Sequence, residues 1–398
     1  MKKKILVLSS TFPRWYNDHE PPFVYELSRR FTDIYDVHVL APHAAGIENH
    51  ETLANLSIHR FRYAPESLEI LAYNGGIANN LKLQPLKYLL VLPFLIGEYF
   101  AARKLVRKHH IDLVHAHWLI PQGLIAVLLK RSSGHKIKTL VTAHGSDIFS
   151  YNGPITRKLK GLVLNNCENL TVVSNSMKTA VIEMGGSCQV DILPMGTDLS
   201  TKFVPDDKNQ NPKNIIFVGR LITQKGVNYL LDAFSKVFEV HPDATLQIIG
   251  HGPELEPLKL QAKDLGINKH VIFSGGLSHN DLVTKLQSSS IAVFPYCRNK
   301  QNSEEGFGLV LVEALGCHCA VIASRQPAII EIIKDNQTGI LIDEKDPQAI
   351  SQSILKLLNN PEKRNLLAEK GRTDVLKRFD WAQVGQSYIT LINKCLKE

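Results

Sequence analysis

The chain has 398 residues, 44% apolar and 21% charged, and 46 Lys plus Arg against 38 Asp plus Glu give a net charge of +8. At roughly 150 residues per domain, this length predicts two or three folding units, each able to bury a full core. The proportions exclude a disordered, collagenous or coiled-coil chain.

Met1-Lys2-Lys3-Lys4 is a basic head, but only Ile5-Leu6-Val7-Leu8 follow before Ser9-Ser10. A secretory core needs about 7–15 apolar residues, so this segment reads as a first β-strand. Strand-like runs then appear at 4–10, 37–41, 113–116, 139–143, 170–174 and 190–193, with helical patterns near 23–32, 84–109, 122–132, 155–166 and 176–184. The longest uncharged apolar stretch, 88–97, contains Pro93 and is far short of the ~20 residues that span a bilayer. Residues 197–213 are polar with Pro and Asp, and read as a linker. The rhythm restarts with strands at 214–219, 245–250, 270–274, 291–295 and 320–323, and helices at 226–240, 254–265, 279–288 and 308–316. Strand and helix alternating in this way predict two doubly wound parallel sheets, whose ligands bind outside the carboxyl ends of the strands.

Six cysteines include no C-x-x-C pair, which argues against a zinc ribbon or a thioredoxin-type site. Cys317 and Cys319 flank His318 after an apolar helical run, where small buried residues belong. Reduced thiols in a cytosolic protein are the expectation. Residues 82–138 carry ten basic groups against Glu98 and Asp112, a net of +8. Beside Tyr88, Phe94, Tyr99 and Phe100, this charge suits an anionic membrane surface. For any one of these residues a solvated helix face is the ordinary alternative. No nucleic-acid recognition motif accompanies the charge.

Four segments carry candidate chemistry. Gly219-Arg220 and Lys225-Gly226 put a planar guanidinium and a compact ammonium at a sheet edge, a pair able to hold a diphosphate. Glu305-Gly306-Phe307-Gly308 opens a helix that carries Glu313, so free amides and the helix dipole form an anion site flanked by two carboxylates. Thr142-Ala143-His144-Gly145-Ser146-Asp147 follows a strand and places His144 at the ligand edge. Asp147 reads equally as a functional group or as a turn residue. His115 and His117 share one side of a strand end, without the helical spacing of a usual metal pair.

The Gly-Arg…Lys-Gly element followed by Glu-x7-Glu resembles glycosyltransferase family 4, retaining nucleotide-sugar-dependent enzymes of the GT-B fold. Gly250-His251-Gly252-Pro253 and Thr338-Gly339 are similar to further family turns. The resemblance implies an α/β fold of two Rossmann-like domains facing a cleft. An acceptor domain would cover 1–200 and a nucleotide-sugar domain 201–378, with a final helix, about 379–398, returning to the first. It implies that Arg220 and Lys225 bind the donor diphosphate, with Gly252 and Gly306 nearby. The amides of Phe307, Gly308, Leu309 and Val310 would hold phosphate, Glu305 the sugar and Glu313 the ribose. His144 would act beside the reacting centre, and His117 with Asp147 would lie on the acceptor side. No Asp-x-Asp occurs, so no metal or other cofactor is expected. The loop after the first strand, Thr11-Phe12-Pro13-Arg14-Trp15, lacks the paired glycines of many members.

The expected function is transfer of a hexose from a UDP- or GDP-sugar to a lipid-linked glycan in cell-surface polysaccharide synthesis, peripheral to the inner membrane face. The alternatives are a nucleotide-sugar 2-epimerase of the same architecture and a non-catalytic sugar-nucleotide-binding protein.

Overall fold

A computed structural model describes the chain apart from residues 1, 16, 17, 19, 21, 150–152, 207, 299–305 and 398. It divides into two compact units, Met1–Gly196 with Val384–Glu398, and Thr197–Gln383. The first boundary thus falls four residues before the expected 200/201, and the return to the first unit comes at Val384 rather than about 379.

The first unit is an eight-stranded sheet. Its strands are β1 (Lys4–Leu8), β2 (Asp36–Pro42), β3 (His50–Leu53), β4 (Leu56–Phe61), β5 (Leu113–His117), β6 (Lys138–Thr142), β7 (Asn169–Val172) and β8 (Gln189–Ile192). The order is β3-β4-β2-β1-β5-β6-β7-β8. Val7 of β1 pairs with Val39 on one side and His115 on the other, all parallel. Ile5 to Leu8 are fully buried, the unbroken apolar run of a central strand covered on both faces. Only β3 is antiparallel, joined to β4 through Ala54 and Asn55 at φ 50° and 63°. A tight turn with two positive φ values is usually signalled by Asn-Gly, and its absence explains why this hairpin escapes the sequence.

The expected helix 84–109 is a 3₁₀ segment, Pro85–Leu90, followed by the α-helix Val91–His109. The helix buries Phe94, Glu98, Ala102, Leu105 and Val106, one stripe at three- and four-residue spacing. The C-terminal helix, Trp381–Lys397, packs Tyr388 against His115 and Phe31, and Tyr35 Oη donates to Asn393 Oδ1 at 2.9 Å.

The second unit is an all-parallel sheet of β9 (Asn211–Val218), β10 (Thr245–Ile249), β11 (Val271–Gly275), β12 (Ser289–Phe294), β13 (Ala320–Ser324) and β14 (Ile340–Ile342). Its order is β11-β10-β9-β12-β13-β14. The helix after β9, Val227–Val240, buries Val227, Leu230, Leu231, Phe234 and Val237, the i, i+3, i+4 face that covers the sheet. Two helices not anticipated, Pro347–Leu358 and Pro361–Phe379, each start with proline after a side-chain cap, Asp346 to the Ala349 amide and Asn360 to the Lys363 amide. Cys317 and Cys319 are buried free thiols, as their sequence context implies.

Glu98 is fully enclosed, receiving Gln122 Nε2 at 3.2 and 3.4 Å, and burial pushes its carboxyl up to about 8. A raised folded-state pKa means that the carboxyl's contribution is present below its ordinary range and lost as pH rises through 8. Glu98→Gln is therefore expected to gain stability over the native chain between pH 4.5 and 8, by about 2–4 kcal/mol at the upper end. Parallel denaturation curves across that range would contradict this.

Candidate active site

In each sheet the strand order reverses beside its first strand, between β1 and β5 and between β9 and β12. Such switch points open a crevice at the carboxyl ends, because the flanking loops leave toward opposite faces. The candidate residues collect at these two places.

In the second unit, β9 ends at Val218 and the chain passes through exposed Arg220 into a 3₁₀ turn, Thr223–Lys225. Lys225 Nζ stands 4.1 Å over the Tyr296 ring, just beyond the end of β12. The two loops are joined where the Cys297 amide donates to Gln224 O at 2.9 Å. Gly226 has φ +65°, and a Cβ there would lie 1.9 Å from Pro295 O. Glycine is thus demanded by the neighbouring backbone. The same holds at Gly252, where a Cβ would meet Leu221 O at 2.1 Å.

After β12 the chain re-enters the described residues at Gly306, and Gly308, at φ 85°, caps the helix Leu309–Gly316. Gly306, Phe307, Leu309 and Val310 are half-buried, and Phe307 packs edge-on against Phe379. The helix's first amides lie at the switch point that also carries Arg220 and Lys225. Glu305 lies outside the described residues. Glu313 is buried, accepts a long 3.4 Å hydrogen bond from Thr197 Oγ1, and has His279 Nε2 at 3.9 Å. Burial pushes its carboxyl up to about 8. An acid so poorly supplied with donors is suited to receive hydroxyl donors from a ligand.

In the first unit, His115 and His117 project from the end of β5 and His144 follows β6. His117 Nδ1 and His144 Nε2 are 3.0 Å apart in stacked rings. His115 turns away to Thr142 Oγ1 at 2.8 Å, continuing through Thr171 toward Tyr388. The three imidazoles therefore do not converge on one point. Burial holds all three well below the ordinary histidine range, so they are neutral. His144 packs against Phe23 and Trp118, at 4.8 and 4.9 Å between ring centres. Asp147 accepts the amides of His144 at 3.0 Å and Leu119 at 2.9 Å. That is the turn role: its carboxylate ties the loop after β5 to the loop after β6.

Asp147, Phe23 and Trp118 also line a cavity of about 740 Å³ above the β1/β5 switch point. Leu71, Ile77, Leu81, Val91, Phe94 and Leu95 are among its apolar walls, while Ser10, Thr11, Arg14, Glu20 and Lys160 bring polar groups. Sequence reasoning missed Arg14 and Glu20. Arg14 is fixed by a forked pair to Asp18, 2.8 and 2.9 Å, and stacks over Trp15 and Tyr73. Glu20 accepts the Asn74 amide at 2.6 Å. An arginine and an acid four apart, Arg14 and Asp18, were the available signal for an ordered loop.

The wall of this cavity has a second face. Leu83, Leu86, Leu89, Leu92, Ile96 and Phe100, at helical spacing, are exposed, Leu86 by 83%. Phe94 instead is buried against Phe61 and Tyr63, and Tyr99 is half-buried with its hydroxyl on Ser132, whereas Tyr88 and Phe100 are exposed, so one of the four aromatic residues expected at a surface is enclosed. The basic set also divides. Lys130 pairs with Glu168 and Arg131 bonds Asn166, whereas Lys82, Lys104, Arg107 and Lys108 are exposed near the apolar stripe in sequence. Among the described residues no helix is long and apolar enough to cross a membrane.

Comparison with known proteins bears directly on this geometry. The model of the family described as Glycosyltransferase Family 4 matches residues 22–201, and that of Glycosyl transferases group 1 matches residues 200–374. An uncharacterized glycosyltransferase of Methanocaldococcus jannaschii is 28% identical over 85% of this chain and 92% of its own. A GDP-mannose-dependent alpha-(1-6)-phosphatidylinositol monomannoside mannosyltransferase of Mycolicibacterium smegmatis is 27% identical over 73% of this chain and 78% of its own. Among solved structures, sucrose-phosphate synthase from Thermosynechococcus elongatus superposes with a TM-score of 0.77 at 19% identity, covering 99% of both chains. HepE from Anabaena in complex with UDP gives 0.73 at 16% identity, over 99% of this chain and 100% of its own. With both halves matched in sequence and the whole chain matched in fold, the protein belongs to glycosyltransferase family 4 and has the GT-B fold.

Proposed function

We propose that this glycosyltransferase moves a hexose from a UDP- or GDP-sugar, with retention of configuration, to a lipid-linked glycan acceptor at the inner face of a membrane. The observation that carries the acceptor class is the cavity of the first unit. Its walls are largely apolar, Arg14, Glu20 and Lys160 stand among them, and one wall belongs to the segment that exposes leucines on its other side. A chain that is part lipid and part sugar fits such a lining. The relative whose name includes phosphatidylinositol supports this reading, as do the relatives named with GDP-mannose and UDP for the donor class.

In this mechanism Arg220 and Lys225 hold the diphosphate and, with the amides of residues 307–310, neutralise it as it leaves. Glu313, neutral in its buried setting, exchanges hydrogen bonds with the ribose. Glu305 contacts the sugar. His144, a neutral imidazole held by His117 and by the backbone that Asp147 pins, is the first unit's candidate catalytic group. No divalent metal is required.

Arg220→Ala and Lys225→Ala should each lose roughly 1.5–3 kcal/mol of nucleoside-diphosphate binding, read by calorimetry with UDP and GDP, without unfolding. Unchanged affinity in both would refute the diphosphate assignment. EDTA should leave sugar transfer intact at temperatures where the protein stays folded. Loss of transfer that Mg²⁺ or Mn²⁺ restores would overturn the metal-free reading. Each exposed Lys or Arg near an anionic leaflet contributes about 1 kcal/mol, within a Debye length of ~8 Å. The protein should therefore co-sediment with anionic vesicles at low salt, less at high salt, and Leu86→Asp with Leu89→Asp should abolish this. Equal binding to neutral vesicles, or none at low salt, would point to a soluble acceptor.

A further inference from the structure

Away from both switch points, four histidines from separate segments meet at one edge of the first sheet. His38 lies on β2, His50 on β3, His59 on β4, and His109 is the last residue of the helix Val91–His109. His50 and His59 are direct cross-strand partners, their rings stacked at 4.6 Å. The ring of His38 lies 5.5 Å from that of His59 and 4.2 Å from that of His109. One ring nitrogen from each of His38, His59 and His109 lies within 4.8 Å of the other two.

Several details favour a ligand over simple packing. His38 Nδ1 and His59 Nε2 are 3.3 Å apart. That is roughly the separation of two nitrogens bound at about 2.0–2.1 Å to one tetrahedral Zn²⁺. On the far side of the His38 ring, Nε2 is buried without a hydrogen-bond partner, and the Asp36 carboxylate stands 3.6 Å away, within a small shift of the backing that orients metal-bound imidazoles. His109 Nε2 is buried without a hydrogen-bond partner. His50 donates its Nδ1 hydrogen to Ile58 O at 2.9 Å, which fixes its ring against His59.

We infer that His38, His59 and His109 form a binding site for a borderline dication of the Zn²⁺ class, with Asp36 behind His38 and the fourth position left to water. Lys4 and Lys108 are the charged groups that oppose a cation here, and Asp36 is the one that favours it. The His109 nitrogen must close by up to about 1.5 Å, from within 4.8 Å to the 3.3 Å of the other pair, a side-chain rotation at a helix end. The role is structural. The ion would clamp the C-terminal end of the helix that walls the cavity to β2 and β4.

The test uses the untagged full-length protein, freed of metal by dialysis. Titration with Co²⁺ should give one equivalent with the visible absorption of a tetrahedral nitrogen-rich site, displaced by Zn²⁺, and Zn²⁺ should raise the Tm. His59→Asn and His109→Gln, checked for folding by circular dichroism, should each weaken Zn²⁺ binding at least about tenfold. His241→Ala, a histidine of the second unit, should change nothing. The inference is overturned if the native chain binds no Zn²⁺, if Zn²⁺ leaves its Tm unmoved, or if the two variants bind it as the native chain does. None of these outcomes bears on the sugar-transfer reading, which needs no ion.

Discussion

Parallel pairing of strands is the constraint on which the rest depends. It buries both faces of each sheet, so Ile5–Leu8 of β1 and Ile215–Val218 of β9 are apolar and buried. It also forces helical crossovers, and where their direction reverses the backbone opens. Every candidate group follows from that: Arg220 and Lys225 after β9, the helix cap at Gly308 after β12, and Phe23, Trp118 and His144 around β1, β5 and β6.

The same burial sets the electrostatics. Glu98 and Glu313 are enclosed carboxyls with few donors, and His115, His117 and His144 are enclosed imidazoles. In each, desolvation outweighs neighbouring charge and favours the neutral form. The contrast is Arg14 with Asp18, where a forked ion pair offsets burial and holds the acid down at about 2. The first unit thus holds neutral buried polar groups beside a fixed ion pair that shapes a loop.

Much of this was legible from residues alone. Strand cores, the helix after β9 and the cation pair announce themselves by period and by position at strand ends, because those signals are local. Three kinds of feature were not. The β3–β4 hairpin turns on Ala54-Asn55, which carries no usual turn signature. The glycines at 226 and 252 answer to carbonyls distant in sequence, Pro295 and Leu221, so their reason is visible only in three dimensions. The segment 83–100 is apolar on both sides, and sequence could not say which residues face a cavity and which face water. It took the aromatic residues for the surface, whereas packing gives that place mainly to leucines. Asp147 braces the loops it joins and also lines the cavity, so its position is compatible with both roles that the sequence left open.

The central claim is that one chain pairs a nucleotide-sugar site with an apolar acceptor cavity. Its most direct test is incubation of the purified protein with radiolabelled UDP- and GDP-sugars and a detergent extract of membrane lipids. Label passing into the organic phase from one of the two nucleotide classes is the predicted result. Label confined to a water-soluble glycan or to free sugar, with none in lipid, would contradict it.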